Sequence, residues 1–229
     1  MTHRDAGAPG DLRIAPSILS ADFGNLGGAV EEVEPESDWL HVDIMDGHFV
    51  PNITIGPPVV TSLRSYSARF FDCHLMISEP SKYLEAFQQA GADGCTIHVE
   101  VGETARHLEK ARSLGLRVGL AANPDTPFET VAPFLSDIDM LLLMTVFPGF
   151  GGQAFIPDVM DKVEQARYEI DRRALEVDLE VDGGIDVLTA PAAVAAGANV
   201  LVAGSAIFGS DDPLGAARTL RDVAFATRR

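Results

Sequence analysis

The stretch that decides the fold is "WLHVDIMDGHFVPNITIGPP", residues 39–58. Leu40, Val42 and Ile44 alternate with His41, Asp43 and Met45. That is the period of a β-strand, whose successive side chains point to opposite faces. One face is wholly apolar, and the other carries an imidazole, a carboxylate and a thioether. The strand then breaks at Asp46-Gly47 into a long loop.

Outward from this segment the same pattern recurs. Strand candidates fall at 12–19, 39–45, 69–77, 94–100, 116–122, 138–146, 177–183 and 199–205. Amphipathic stretches such as "PSKYLEAFQQAGA", "GETARHLEKARSLG" and "TAPAAVAAGA" lie between them. Gly91, Gly115 and Gly197 stand close before the next strand, as expected of helix C-terminal caps. Strands that alternate with helices point to a parallel sheet in the α/β class, because parallel neighbours need crossover connections. Eight such units in about 220 residues fit a closed (β/α)8 TIM barrel better than an open doubly wound sheet. Periodicity does not itself show closure, so the open sheet is the structural alternative. Residues 1–11, polar and rich in Gly and Pro, read as a mobile tail, and 12–229 as a single barrel domain.

Charge narrows the function. Asp and Glu number 34 against 17 Lys and Arg, for a formal net charge of −17. Nucleic acid and anionic membranes are bound through clustered basic residues, so both are excluded as partners. A phosphate-bearing substrate would need a locally built site of backbone amides or helix ends. Cys73 and Cys95 both fall in strand candidates and read as buried thiols. The opening "MTHRDAGAPGDLR" has no apolar signal region, and no apolar run has the length of a membrane span. The expectation is a soluble, cytoplasmic protein.

Three strand ends carry chemistry. His41 and Asp43 share a face, as do His74 and Met76 in "DCHLMI", and "EVDGGI" places Asp182 at the end of the seventh strand. Two His and two Asp converging on one barrel end suit a divalent transition metal. Taken singly, a strand histidine is more often a hydrogen-bonded core residue and Asp-Gly more often a turn. Their recurrence at three strand ends favours a site. Met45, Met76 and Met144 also end strands, and by composition alone they read as gap-filling core. The loops 46–58 and 147–157 exceed the usual connection length, and both follow the C-terminal ends of strands, where such barrels place their active sites. Glycines in "PGFGGQ" (148–153), "DGG" (182–184) and "AGS" (203–205) suit an anion held by backbone amides.

"APSILSADF", "HVDIMDGHFVPNIT", "DCHLMI", "NPDTP", "MTVFPGFGGQAF", "EVDGGI" and "AGSAIF" together resemble the signature blocks of the ribulose-phosphate 3-epimerase family, in order, from about residue 14 to 208. The resemblance implies a (β/α)8 barrel that interconverts D-ribulose 5-phosphate and D-xylulose 5-phosphate. It implies one divalent metal ion (Zn, Fe(II), Mn or Co) on His41, Asp43, His74 and Asp182, with Asp43 and Asp182 as the proton-transfer pair. It places substrate contacts on Ser17, His74, Gly149, Phe150, Gly151, Gly152, Asp182, Gly183, Gly184, Gly204 and Ser205. Ser17 would orient His74 or the substrate oxygens. Met45, Met76 and Met144 become a cap over the intermediate, against their plain reading as filler. His98 and Glu100 stand as supporting positions, and a homo-oligomer is implied. Two departures are Phe147, where a polar residue is expected before "PGFGG", and Ala122, where a larger aliphatic is usual.

Rival readings are a 3-epimerase of a hexulose phosphate such as D-allulose 6-phosphate, a barrel lyase or decarboxylase, and a non-catalytic sugar-phosphate-binding barrel. A lyase of this kind wants a lysine at the reacting carbon, and Lys82, Lys110 and Lys162 all read as helix residues.

Overall fold

Strands with one apolar face and one mixed face can bury both if helices cover the outside and the sheet rolls into a tube. The computed structural model, which describes residues 6–228, shows this solution. Strands β1 (Arg13–Pro16), β2 (Trp39–Met45), β3 (Phe70–Met76), β4 (Gly94–His98), β5 (Arg117–Ala122), β6 (Met140–Met144), β7 (Asp178–Asp182) and β8 (Val200–Ala203) form one parallel sheet. Its order is β1-β8-β7-β6-β5-β4-β3-β2, so from β2 to β8 each strand pairs with its sequence neighbour, and β1 pairs with β8. Between β1 and β2 the ring meets at an isolated parallel bridge, Ser17 to His41. An open doubly wound sheet is thereby excluded.

The outward residues Leu40, Val42, Ile44, Phe71, Cys73 and Leu75 sit under the helices in one continuous apolar cluster. Burying a Leu, Ile or Val of this kind contributes roughly 1.5–3 kcal/mol. Cys73 and Cys95 are free, buried register partners on β3 and β4. Gly91 closes the helix Leu84–Ala90 at φ +102°, donating its N–H to Phe87 and Gln88, and so turns the chain toward β4.

Inside the tube the layers differ in chemistry. At the N-terminal end Trp39 packs on Phe70, with ring centroids 4.7 Å apart, beside Met140, Val200 and Val202. The next layer is polar, with His41, Asp72, Thr96 and Glu180 all buried. Gly119 makes room for it, since a Cβ there would come within 2.1 Å of Thr96 Oγ1.

Beneath the apolar plug, Asp178 gathers the barrel floor. It accepts from Arg13 Nη1 at 2.8 Å, Arg117 Nη2 at 3.0 Å, Asn199 Nδ2 at 2.7 Å and the Gly10 N–H at 3.0 Å. Trp39 Nε1 donates to Ala6 O at 3.1 Å. Of the expected tail, residues 1–5 lie outside the described residues, and Ala6 and Gly10 make these bonds to the floor. Replacing Asp178 by Ala leaves Arg13 buried without its counter-charge. Unfolding free energy is expected to fall by about 3–5 kcal/mol, read as a lower midpoint in a urea titration.

Candidate active site

The polar faces of β2, β3 and β7 meet at the C-terminal end of the barrel. Register sets Asp43 beside His74 and Met45 beside Met76, while Asp182 is the last residue of β7. His41 Nε2 lies 3.3 Å from His74 Nδ1 and 3.4 Å from Asp43 Oδ1. His74 Nδ1 is 3.0 Å from Asp43 Oδ1, and Asp182 Oδ2 is 3.9 Å from both ring nitrogens.

These four atoms, all within 4.8 Å of one another, form a group that fits a divalent metal ion. Four ligands held about 2.0–2.1 Å from one ion at tetrahedral angles stand about 3.3 Å apart. The contacts among His41, His74 and Asp43 already have that length, and Asp182 needs to close by about 0.6 Å. Two imidazoles and two carboxylates do not choose among Zn, Fe(II), Mn and Co.

The other nitrogen of each ring also faces a polar side chain. His41 Nδ1 is 2.8 Å from Asp72 Oδ2 and 3.3 Å from Glu180 Oε1. His74 Nε2 is 2.8 Å from His98 Nε2, and His98 Nδ1 is 3.0 Å from Glu100 Oε2. Ser17 Oγ donates to Asp43 Oδ2 at 2.6 Å. Its protein partner is thus the carboxylate, where the sequence suggested His74 or the substrate oxygens.

The carboxylates differ in proton affinity. Burial alone would push Asp43 up, but the charges and hydrogen bonds of His41 and His74 outweigh it and hold this group well below the usual range. Asp182 is pushed the other way, first by burial and then by the charge of Asp43, with His41 opposing. Glu180 is also raised, by burial and then by Asp72. Burial brings His74 down to about 4 despite Asp43. Two carboxyl groups whose environments drive their affinities apart can serve as an acid and a base in one site.

Above them a narrow cavity of about 50 Å³ opens to solvent. Its wall includes Ser17, Asp43, Asp182, Gly149, Phe150, Gly151, Gly152, Gly183, Gly184, Gly204 and Ser205. His74 lies beneath it, fully buried with His41. Met45 and Met76 pack with Val50, and Met144 with Leu142 and Val146. All three methionines also line the cavity, so they are core filler and pocket wall at once. Gly183 has φ +122°, and a Cβ there would meet Val146 Cγ2 at 2.4 Å, so this bend in the wall requires glycine. Among the described residues no lysine lines the cavity, and Lys162 Nζ is spent on the carbonyls of Asn123 and Pro124.

The two long loops are tied together at the cavity rim. Asn52 Nδ2 donates to Gly149 O at 2.9 Å, and Gln153 Nε2 donates to Phe147 O and Phe150 O at 2.7 and 2.8 Å. Phe147 offers that carbonyl while its side chain faces solvent, 51% exposed, so the departure there leaves the loop's hydrogen bonds intact. Ala122 is fully buried in the outer core, away from the cavity. Asp46 accepts from the N–H groups of His48 and Phe49 and from both the N–H and hydroxyl of Ser78, all at 2.7–2.9 Å.

Sequence reasoning missed Asp72 and Glu180. The signal was available, since each stands two residues before a recognised site residue and so shares its inward face.

The model of the ribulose-phosphate 3 epimerase family matches residues 13–208. The chain belongs to that family. Among curated ribulose-phosphate 3-epimerases, that of Rhodobacter capsulatus is 49% identical over 199 residues, 86% of each chain. The cytoplasmic isoform of Oryza sativa is 46% identical, covering 88% of this chain and 89% of its own. That of Mycobacterium tuberculosis is 45% identical over 96% of each. Solved barrels of other names share the architecture. KGPDC from Streptococcus mutans matches with a TM-score of 0.75 at 15% identity, covering 94% of this chain and 98% of that one. The 3-hexulose-6-phosphate synthase of Salmonella typhimurium matches with 0.72 at 18% identity, covering 94% and 100%. At such identities these two show the fold alone. No helix among the described residues of this epimerase family member is long and apolar enough to cross a membrane.

Replacing Asp46 by Ala removes a charged acceptor shared by two loops of the epimerase site. Amide exchange at His48, Phe49 and Ser78 is expected to accelerate at least about tenfold, since hydrogen bonds to charged groups contribute roughly 1.5–3 kcal/mol. Hydrogen-exchange NMR reads this directly.

Proposed function

We propose that this chain interconverts D-ribulose 5-phosphate and D-xylulose 5-phosphate by moving the C3 proton between Asp43 and Asp182. The observation that carries the reading is the pair itself. Two carboxyl groups share one buried cluster, one held ionised by two imidazoles and the other held toward its protonated form. Epimerising the carbon beside a ketone requires a base on one face and an acid on the other, and this pair supplies both.

His41, Asp43, His74 and Asp182 would hold the divalent ion. When bound, that ion supplies positive charge beside the substrate's ketone oxygen, a stabilisation of several kcal/mol. Asp43 takes the C3 proton of xylulose 5-phosphate, and Asp182 delivers a proton to the opposite face; in the reverse direction the roles exchange. Ser17 fixes the plane of Asp43 through its 2.6 Å bond. Met45, Met76 and Met144 exclude water from the reacting carbons. The glycines of the 149–152, 183–184 and 204 loops leave backbone open to the phosphate, which resolves how a protein of net charge −17 binds an anion. The barrel acts as a single domain of residues 12–229, in the cytoplasm and as a homo-oligomer, as the family resemblance implies.

The experiment is proton NMR of ribulose 5-phosphate with the purified protein in heavy water, repeated with a chelator. Deuterium at C3 together with xylulose 5-phosphate is expected, and chelation should stop both. Faster exchange on allulose 6-phosphate would support the hexulose reading, and exchange on neither would leave a sugar-phosphate-binding barrel. Replacing Asp182 by Asn is expected to lower turnover by roughly 10²–10⁴-fold, while Asp43 still washes deuterium into xylulose 5-phosphate. A variant that keeps near-wild-type turnover would sink the two-carboxylate mechanism.

A further inference from the structure

Among the described residues no lysine, arginine or histidine lines the cavity, and the charged groups of its wall are the carboxyls of Asp43 and Asp182. A phosphate bound there depends on neutral donors, so every uncommitted N–H and O–H counts. Apart from the carboxyl groups, four side chains of the wall can donate: Ser17, Ser20, Gln153 and Ser205. The one hydrogen of the Ser17 hydroxyl goes to Asp43 Oδ2, and Gln153 Nε2 donates to Phe147 O and Phe150 O. Two hydroxyls remain. Ser205 is a substrate contact that the family resemblance implies, whereas Ser20 is not.

Ser20 ends the short turn Ile18–Ser20 that follows β1. Ser17 starts that turn, its Oγ accepting from the Leu19 N–H at 3.3 Å and its carbonyl from the Ser20 N–H at 3.4 Å. The residue that bonds Asp43 therefore also sets where Ser20 stands. A Cβ on Gly204 would lie 2.6 Å from Ser20 Oγ, and a Cβ on Gly151 would lie 3.4 Å from it. The hydroxyl thus sits between the end of β8 and the glycine loop after β6, and Gly204 can carry no side chain while Ser20 keeps this place. Ser20 is half-buried, and among the described residues its hydroxyl bonds to no protein group. The N–H groups of Gly151 and Gly152 donate to no protein group either.

We infer that Ser20 binds the phosphate of the substrate, its hydroxyl donating to an oxygen of the anion that lies between the two glycine loops. The inference rests on the reading of those loops as the phosphate site. One turn then carries a contact at each end of the substrate, Ser17 through Asp43 at the reacting carbon and Ser20 at the phosphate.

The test is a titration of wild type and Ser20→Ala with inorganic phosphate, followed by amide NMR. In the wild type the Gly151 and Gly152 amides should shift, and phosphate should compete with ribulose 5-phosphate. Ser20→Ala, which removes a single oxygen, is expected to bind phosphate about tenfold more weakly, since the lost bond is one to a charged group. KM for ribulose 5-phosphate should rise by a similar factor with kcat nearly kept, as for a contact made equally in ground and transition states. Before phosphate is added, Gly151 and Gly204 of the variant should exchange their amide hydrogens as in wild type, because the hydroxyl bonds to neither loop. A phosphate affinity within about twofold of wild type, or loops that already exchange faster in the anion-free variant, would overturn the direct contact. Wild-type protein in which phosphate moves none of these amides would defeat the phosphate site, and this inference with it. Wild-type protein that binds phosphate through Ser20 yet epimerises neither ketose phosphate would defeat the proposed reaction alone.

Discussion

Four carboxyl groups, Asp43, Asp72, Glu180 and Asp182, are turned inward around one histidine, His41. Buried charge is costly unless it is paired, and like charges packed together cannot all ionise. The interior settles this by distributing protons and by using imidazoles as counter-groups. His41 stands between two layers, with Nδ1 against Asp72 and Glu180 and Nε2 against Asp43 and Asp182. Its own proton affinity is raised because those carboxylates outweigh the effect of burial. The uneven affinities of Asp43 and Asp182 follow from the same crowding. A cation among their oxygens would relieve it further, so the fit to a metal ion and the uneven proton affinities are two outcomes of one electrostatic constraint.

The barrel isolates this layer. Below it the Trp39–Phe70 plug separates the acidic cluster from Asp178 and its arginines on the floor. Above it the three methionines and the glycine loops make an entrance that is apolar at the reacting end and backbone-rich at the rim. Stability at the floor is supplied by full ion pairing, while the upper end keeps groups with incomplete partners. That division lets one end stay reactive without loosening the other.

Much of this was legible in the chain. Period-two alternation located the eight strands and the inward face of His41, Asp43, His74 and Asp182, because a strand side chain has only two directions to take. The family resemblance then supplied roles that alternation could not, above all for the methionines, whose composition suits a plain core equally well. Asp72 and Glu180 were passed over although they obey the same alternation, because a carboxylate in mid-strand carries no turn or loop signal to mark it. The bond from Ser17 to Asp43 was not foreseen for a different reason. Its hydroxyl reaches Asp43 across the β1–β2 seam, and a contact between strands that are not consecutive ladder partners has no trace in local periodicity. Glu100 and Thr126 meet from separate loops, which only tertiary structure brings together.

The Ser17–His41 bridge carries one more consequence. The residue that joins the ring at its seam also bonds the carboxylate read as the base, and its bridge partner is one of the four residues gathered for the cation. Circumference and reactivity are therefore inherited together. A lineage cannot slide β1 along β2 to accommodate drift elsewhere in the barrel without moving Ser17 against Asp43 and His41. The seam thus joins the β2–β3 junction, whose register sets Asp43 beside His74, as a place where mechanical closure and chemistry are under a single selection.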